Sequence, residues 1–309
     1  MRIIYMGTPE FAVPSLKILL ENGYNVVGVI TATDKYGGRG GKQLIESDVK
    51  KFAVEKGLHI LQPKNLKDPD FVEEVRALKA DLQIVVAFRM LPEVIWNMPK
   101  HGTYNLHGSL LPKYRGAAPI HWAVINGEEE TGVTSFKLKY KIDTGDLLFQ
   151  AKTKITHEDT TGDVYQRLMH LGADVVLKTV KAVESGSFEL LEQDESQVSK
   201  APKIYHETCQ VNFNQSVMKV YNQIRGLSPF PTAWTTIDGL ECKILKSGVS
   251  DEENKSHTPG QIITDNKRFL KVACRDGYLA ILEIKMQGKK KMDIKSFLNG
   301  YEIKNMEIG

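Results

Sequence analysis

Residues 82–107 read "LQIVVAFRMLPEVIWNMPKHGTYNLH", and two short runs inside this stretch, "LQIVVAF" (82–88) and "GTYNLH" (102–107), decide the fold class. Apolar or β-branched runs of the same kind recur upstream at "RIIYM" (2–6), "NVVGVITAT" (25–33) and "LHIL" (58–61). Amphipathic helical stretches lie between most of them: "SLKILLENG" (15–23), "SDVKKFAVEKG" (47–57) and "DPDFVEEVRALK" (68–79). In the second of these Ser47 is placed to cap the helix and Gly57 to stop it. Strands alternating with helices predict an α/β fold with a mostly parallel sheet covered on both faces, because parallel neighbours need a crossover connection. In such a sheet ligands sit outside the carboxyl ends of the strands. Asn105 and His107 fall at that end of the fifth run, one residue apart. Side chains alternate along a strand, so the two point the same way and can address one group.

Downstream, "TTGDVYQRLMHLGADVVLKTVKAVESG" (160–186) has apolar residues at helical spacing and predicts one long helix closing a first domain, 1–186. Residues 187–208 are polar, lose periodicity and contain Pro202, which reads as a linker. A second domain, 209–309, opens with a helix over "NQSVMKVYNQIRGL" (214–227) and the turn-rich "SPFPTAW". Short β-rich runs separated by Gly- and Asp-containing turns then predict a small β-barrel or sandwich of OB-like type. A length of 309 residues agrees with two domains, since single cores seldom grow past roughly 250 residues.

Composition excludes several classes. No apolar stretch approaches the ~20 residues a bilayer span requires. The start, "MRIIYMGTPEF", lacks the h-region and cleavage site of a signal peptide. The three cysteines are odd in number and form no C-x-x-C, so neither a disulfide frame nor a zinc knuckle is indicated, and a reducing cytoplasm is expected. The net charge of +3 is uneven: residues 1–199 carry 24 Lys/Arg against 26 Asp/Glu, and residues 200–309 carry 17 against 12. That basic end is either a solvated surface or a salt-sensitive nucleic-acid contact.

Nucleotide cofactors fit poorly. "MGTPEF" (6–11) has one glycine where the dinucleotide fingerprint needs three, which argues against a nicotinamide or flavin dinucleotide. "YGGRGGKQ" (36–43) fails the phosphate-loop pattern, with Tyr36 for the first Gly and Gln43 for Ser or Thr. It is either a plain glycine loop or a basic finger presenting Arg39 and Lys42. The histidines show neither H-E-x-x-H nor His-x-His spacing, so no metal is expected. Asn105 and His107 suit a different chemistry. An imidazole moves a proton, an amide N–H steadies an oxyanion, and Asp143, in the turn of "YKIDTGDLLF" (140–149), could reach back to orient the ring. With no Ser or Cys nucleophile nearby, such a trio fits acyl transfer directly between two bound substrates. A structural His and a turn-capping Asp are the bland alternative.

"NLHGSLLPKYRGAAPIHWAVINGEEETGVT" (105–134) followed by "IDTGDLL" (142–148) resembles the signature of the 10-formyltetrahydrofolate-dependent formyltransferases. The likeness extends from "RIIYMGTPEFAVPSL" through "GRGGK" and "LSPFPTAW" to the basic end. It implies a Rossmann-like formyltransferase domain, a linker and an OB-like barrel that helps hold tRNA. It also implies a catalytic trio of Asn105, His107 and Asp143, with a donor site formed by Ser109, Leu110, Leu111 and Pro112. Phe88, Arg89, Met90 and Leu91 would lie against the pterin through backbone contacts. Arg39 and Lys42 would meet the acceptor end of the partner, a charged initiator methionyl-tRNA, the enzyme working as a monomer with 10-formyltetrahydrofolate as its only cofactor. The chain departs from many members in "AFRMLP" (87–92), which is one residue shorter and has Arg89 where they have Gly. Sugar-nucleotide formyltransferases and folate-hydrolysing relatives share the trio, and the Arg39 loop and basic end favour tRNA over them. A non-catalytic RNA-binding protein would have no use for the trio.

Overall fold

A computed structural model describes residues 1–38 and 40–308. The chain separates into two compact units. One comprises Met1–Pro119, Thr131–Thr153 and Tyr165–Ala201, and the other Ile120–Glu130, Lys154–Val164 and Pro202–Gly309.

The first unit is built on a seven-stranded sheet. Its strands are β1 (Arg2–Gly7), β2 (Asn25–Ile30), β3 (Ile60–Leu61), β4 (Leu82–Val86), β5 (Thr103–His107), β6 (Glu130–Lys137) and β7 (Leu147–Lys154). Their order is β7-β6-β5-β4-β1-β2-β3. β3, β2, β1, β4 and β5 pair in parallel and β6 runs antiparallel to β5. β1 and β4 pass through the middle, and every residue of β4 is buried, as strands covered on both faces must be. One face of the sheet packs Ile4, Met6, Ile30 and Val85 against Val72, Val75 and Ile95. Each such side chain contributes about 1.5–3 kcal/mol of burial.

The first three helices follow the sequence patterns closely. α1 is Val13–Glu21, α2 Asp48–Glu55, α3 Pro69–Ala77 and α4 Glu93–Trp96. Ser47 caps α2 by accepting from Lys50 N at 3.0 Å, and Asp68 caps α3 by accepting from Asp70 N at 3.1 Å. Three apolar runs give shorter strands than predicted: 25–33 stops at Ile30, 58–61 narrows to two residues, and 82–88 stops at Val86. Ala87 has φ 47°, outside the extended region, and ends β4 there. The glycine loop after β2 is a hairpin of Lys35–Gly37 with Gln43–Ile45. The stretch expected as a linker carries a two-residue strand, Lys200–Ala201, parallel to Arg115–Gly116.

The second unit contains α7 (Val217–Gly226) and α8 (Ile294–Gly300), together with most of the short helix α5 (Pro119–Ile125). The 25-residue α6 (Thr161–Ser185) begins in it and continues into the first unit. Its strands are β8 (Ala233–Ile237), β9 (Leu240–Glu253), β10 (Ile262–Thr264), β11 (Leu270–Ala273), β12 (Gly277–Met286) and β13 (Met292–Asp293). They form an antiparallel sheet in the order β8-β9-β12-β11-β10, with β13 on β12. Its core includes all three cysteines, Cys209, Cys242 and Cys274, packed with Val220, Ile224, Leu279 and Phe297. The buried Arg225 donates to Thr156 O (3.0 Å) and Asp159 O (2.8 Å) and ties the inserted segment 154–164 to α7. Among the described residues no helix is long and apolar enough to cross a membrane.

Candidate active site

β5 ends at the pair that the sequence singled out. Asn105 and His107 share one face, while Tyr104 and Leu106 turn to the other and are buried there. Asn105 is flanked by Val85 on β4 and Phe136 on β6, and His107 by Thr134 on β6. On the opposite face Gly172 of α6 lies so close to Leu106 that a Cβ there would stand 2.6 Å from Leu106 Cδ2. The helix therefore presses directly on the strand that carries the pair. Asn105 is half-buried and its amide takes no hydrogen bond among the described residues, so its N–H groups remain available.

His107 is enclosed and makes one short contact, Nε2 to the carbonyl of Tyr114 at 2.8 Å. A carbonyl only accepts, so Nε2 carries the hydrogen, and in the neutral ring Nδ1 bears the lone pair. Asp143 Oδ2 stands 3.8 Å from Nδ1, too far for a hydrogen bond but near enough to stabilise the ring once Nδ1 takes a proton. The ring is thus set up to accept a proton beside an enclosed carboxylate.

Asp143 is held by two hydrogen bonds. Its Oδ2 accepts from Gly116 N at 2.9 Å, and its backbone oxygen accepts from Gln193 Nε2 at 2.8 Å. Its own φ is 54°, a left-handed turn conformation that Asp tolerates better than most residues. Gln193 Nε2 also reaches Gly145 O at 2.7 Å, and Gln193 Oε1 accepts from Arg115 Nη2 at 2.7 Å. Arg115 is further paired with Glu195 at 2.7 Å, and this contact holds the Glu195 carboxyl below its usual range. Gly116 has φ 129°, and a Cβ there would lie 2.5 Å from Ala201 O, so only glycine fits beside the 200–201 strand. The turn carrying the carboxylate is braced by residues 193–201, a polar stretch with no sequence pattern to betray that role.

The segment 109–112 is held by the Thr134 hydroxyl and by Gln150, whose Nε2 donates to Leu111 O at 2.7 Å. Thr134 Oγ1, fully buried, donates to Ser109 O (2.6 Å) and accepts from Leu111 N (3.0 Å) and Gln150 Nε2 (3.0 Å). Ser109 Oγ donates to Lys113 O at 2.6 Å, so this hydroxyl is spent within its own loop. Leu111 is buried and Leu110 and Pro112 are partly exposed.

The structure brings Asn105, His107 and Asp143 together, with 109–112 continuing directly from β5. Phe88, Arg89, Met90 and Leu91 lie just beyond the carboxyl end of β4, the neighbour of β5. Phe88 and Leu91 face the core, whereas Arg89 and Met90 are exposed. Lys42 is exposed in the turn of the 35–45 hairpin. Arg39 lies outside the described residues. Gln193, Arg115, Gly116 and Thr134 were not singled out from sequence, although Arg115 and Gly116 fall inside the "KYRGAAP" block that carries the resemblance.

Residues 1–180 match the family model described as "Formyl transferase", and residues 203–302 match "Formyl transferase, C-terminal domain". The chain belongs to the formyl transferase family, and both parts of it are present. Within that family, methionyl-tRNA formyltransferase of Bacteroides fragilis is 50% identical over 311 residues, covering 98% of this chain and 96% of that protein. The protein of the same name from Phocaeicola vulgatus is 52% identical over 97% of this chain and 96% of its own length. Among solved structures, the N-formyltransferase of Helicobacter canadensis in complex with folinic acid and dTDP-3-aminofucose superposes with a TM-score of 0.71 at 22% identity. It covers 94% of this chain and 99% of that one, a likeness of fold.

Proposed function

We propose that this protein transfers the formyl group of 10-formyltetrahydrofolate to the α-amino group of methionine on initiator methionyl-tRNA. The observation that carries the reading is the enclosed His107–Asp143 pair beside the free amide of Asn105, in a chain half identical along nearly its whole length to methionyl-tRNA formyltransferases.

Asn105, His107 and Asp143 form the catalytic trio. The neutral methionyl amine attacks the formyl carbon and a tetrahedral intermediate forms. The Asn105 amide donates to its oxyanion. His107 takes the proton released by the amine, and Asp143 stabilises the resulting imidazolium. As the carbon–N10 bond breaks, the proton passes to N10 and tetrahydrofolate departs. No covalent bond to the protein and no metal is required. Residues 109–112 and 88–91 line the donor site.

Arg39 and Lys42 meet the acceptor end of the tRNA, for which a guanidinium that addresses phosphates and base edges alike is suited. Catalysis belongs to the first unit, which includes 187–201 of the stretch expected as a linker, and the OB-like second unit, mostly residues 202–309, helps hold the tRNA. The enzyme works as a monomer in the cytoplasm. Purified protein given 10-formyltetrahydrofolate should formylate charged initiator methionyl-tRNA. Transfer to an amino sugar nucleotide or to free methionine instead would sink the reading.

A further inference from the structure

The second unit carries a depression of its own, about 360 Å³, lined by Glu252, His257, Ile263, Phe269, Lys271 and Tyr278. Small-molecule sites span roughly 300–1,000 Å³. Leu270 and Val272 of β11 turn into the core, so Lys271 between them faces outward, opposite Ile263 on β10. Phe269 is 37% exposed, yet its place in the chain is fixed. Thr264 Oγ1 donates to Phe269 O at 2.6 Å, and Asp265 Oδ1 accepts from the backbone N of Lys267 (3.0 Å), Arg268 (2.7 Å) and Phe269 (3.3 Å). An aromatic ring held toward solvent by so tight a turn is a stacking platform.

Three polar groups stand around this apolar floor. Lys271 Nζ donates to Glu252 Oε1 at 2.8 Å, and Glu252 Oε2 has no partner among the described residues. His257 Nδ1 lies 2.7 Å from the Tyr278 hydroxyl. That hydroxyl has one hydrogen to give, and Asn254 Oδ1, 3.2 Å away, is already occupied by the backbone N–H groups of Ser256 and His257. Tyr278 therefore donates to Nδ1, and in the neutral ring Nε2 carries the hydrogen. Nε2 makes no hydrogen bond among the described residues. The depression thus offers a carboxylate that can accept two N–H groups, and two donors, an ammonium and an imidazole N–H.

We infer that this depression binds the base of a free guanine nucleoside or nucleotide, its ring stacked on Phe269. Guanine carries N1–H and N2–H side by side, which match the Glu252 carboxylate, and the acceptors O6 and N7, which match Lys271 and His257 Nε2–H. Adenine reverses the pattern at position 6, and the pyrimidines have no N7. A strand of RNA is a poorer match, since Lys271 and Glu252 offset each other and leave the lining without net charge, whereas a nucleic-acid backbone is tracked by a positively charged groove.

The test is equilibrium dialysis of the full-length protein with GMP, IMP and AMP, which needs no formyl transfer. GMP should bind with a Kd of about 1 mM or less. IMP, which lacks the 2-amino group, should bind about tenfold more weakly, the size of one hydrogen bond to a charged acceptor, and AMP more weakly still. Phe269→Ala should weaken GMP about fivefold or more through the lost stack, and Phe269→Trp should restore it. Glu252→Gln, at a side chain 66% exposed and so without consequence for packing, should bring the GMP-to-IMP ratio near unity. Failure of GMP to bind at about 1 mM, equal binding of GMP and AMP, or ratios untouched by both substitutions would overturn the inference. So would a Phe269→Ala protein that loses affinity for initiator tRNA when wild type takes up no GMP, which would make the ring an RNA contact.

Discussion

At the residue scale the proposed chemistry depends on which nitrogen of His107 is occupied. The Tyr114 carbonyl holds the hydrogen on Nε2, so the proton-accepting nitrogen is the one beside Asp143. His107→Ala should therefore lower kcat by about 10²–10⁴, the usual contribution of a positioned general base. Asp143→Asn keeps an acceptor for Gly116 N but loses the charge that stabilises the imidazolium, and should also lower kcat. Gln193 acts through Asp143. Gln193→Leu removes the tethers to Asp143 O and Gly145 O, and should reduce single-turnover formyl transfer without changing donor affinity. The combined Gln193→Leu, Asp143→Asn protein should be little worse than Asp143→Asn alone, because coupled residues are not additive. Fully multiplicative losses would show that Gln193 does something other than aim the carboxylate.

At the level of elements, the 35–45 hairpin is tied down at its base. Lys50 on α2 bridges Asp34, just before the hairpin, and Glu46, just after it, the latter at 2.7 Å. The hydrogen bond from Lys50 holds the Asp34 carboxyl below its usual range, and the same contact raises the Lys50 ammonium. A depressed carboxylate gives stability that is present above the unfolded value, near pH 4, and is lost as pH falls through the folded one. A raised ammonium gives stability that is present below about pH 10.4 and is lost as pH rises past the folded value. Lys50→Met should accordingly speed amide exchange across 35–45 at neutral pH, and wild type should approach that behaviour only below about pH 4 or above about pH 10.4. Equal exchange in the two proteins at neutral pH would refute the tie.

The elements also show what could be read beforehand. The cap at Ser47 and the long helix over 160–186 follow from local patterns and appear as expected, since those signals act over a few residues. Asn105 and His107 were legible for the same reason. The bracing of Asp143 by Gln193, and of Ser109 by Thr134, was not. These contacts join positions 50 and 25 residues apart, through polar side chains in stretches without periodicity. The end of β4 at Val86 was hidden because Ala87 adopts a backbone conformation that its residue type does not advertise.

Across the whole molecule, chemistry is unevenly shared. All three cysteines lie in the second unit, and burial pushes the thiols of Cys242 and Cys274 up to about 12 and that of Cys209 upward. Near pH 8 they are protonated and shielded, so an aromatic disulfide reagent should label none of them in the native protein. In denaturant all three should react together as the second unit opens. One thiol reacting quickly in the native state would contradict this packing. The division of the chain has a further consequence for how such enzymes can be recombined. A crossover that swapped only the last third of the gene would deliver Arg225 to a foreign host while leaving behind Thr156 and Asp159, whose carbonyls it was fitted to. The portable module is therefore discontinuous in the gene: a graft of the tail has to bring 120–130 and 154–164 with it, seams that no reading of the C-terminal sequence alone would mark.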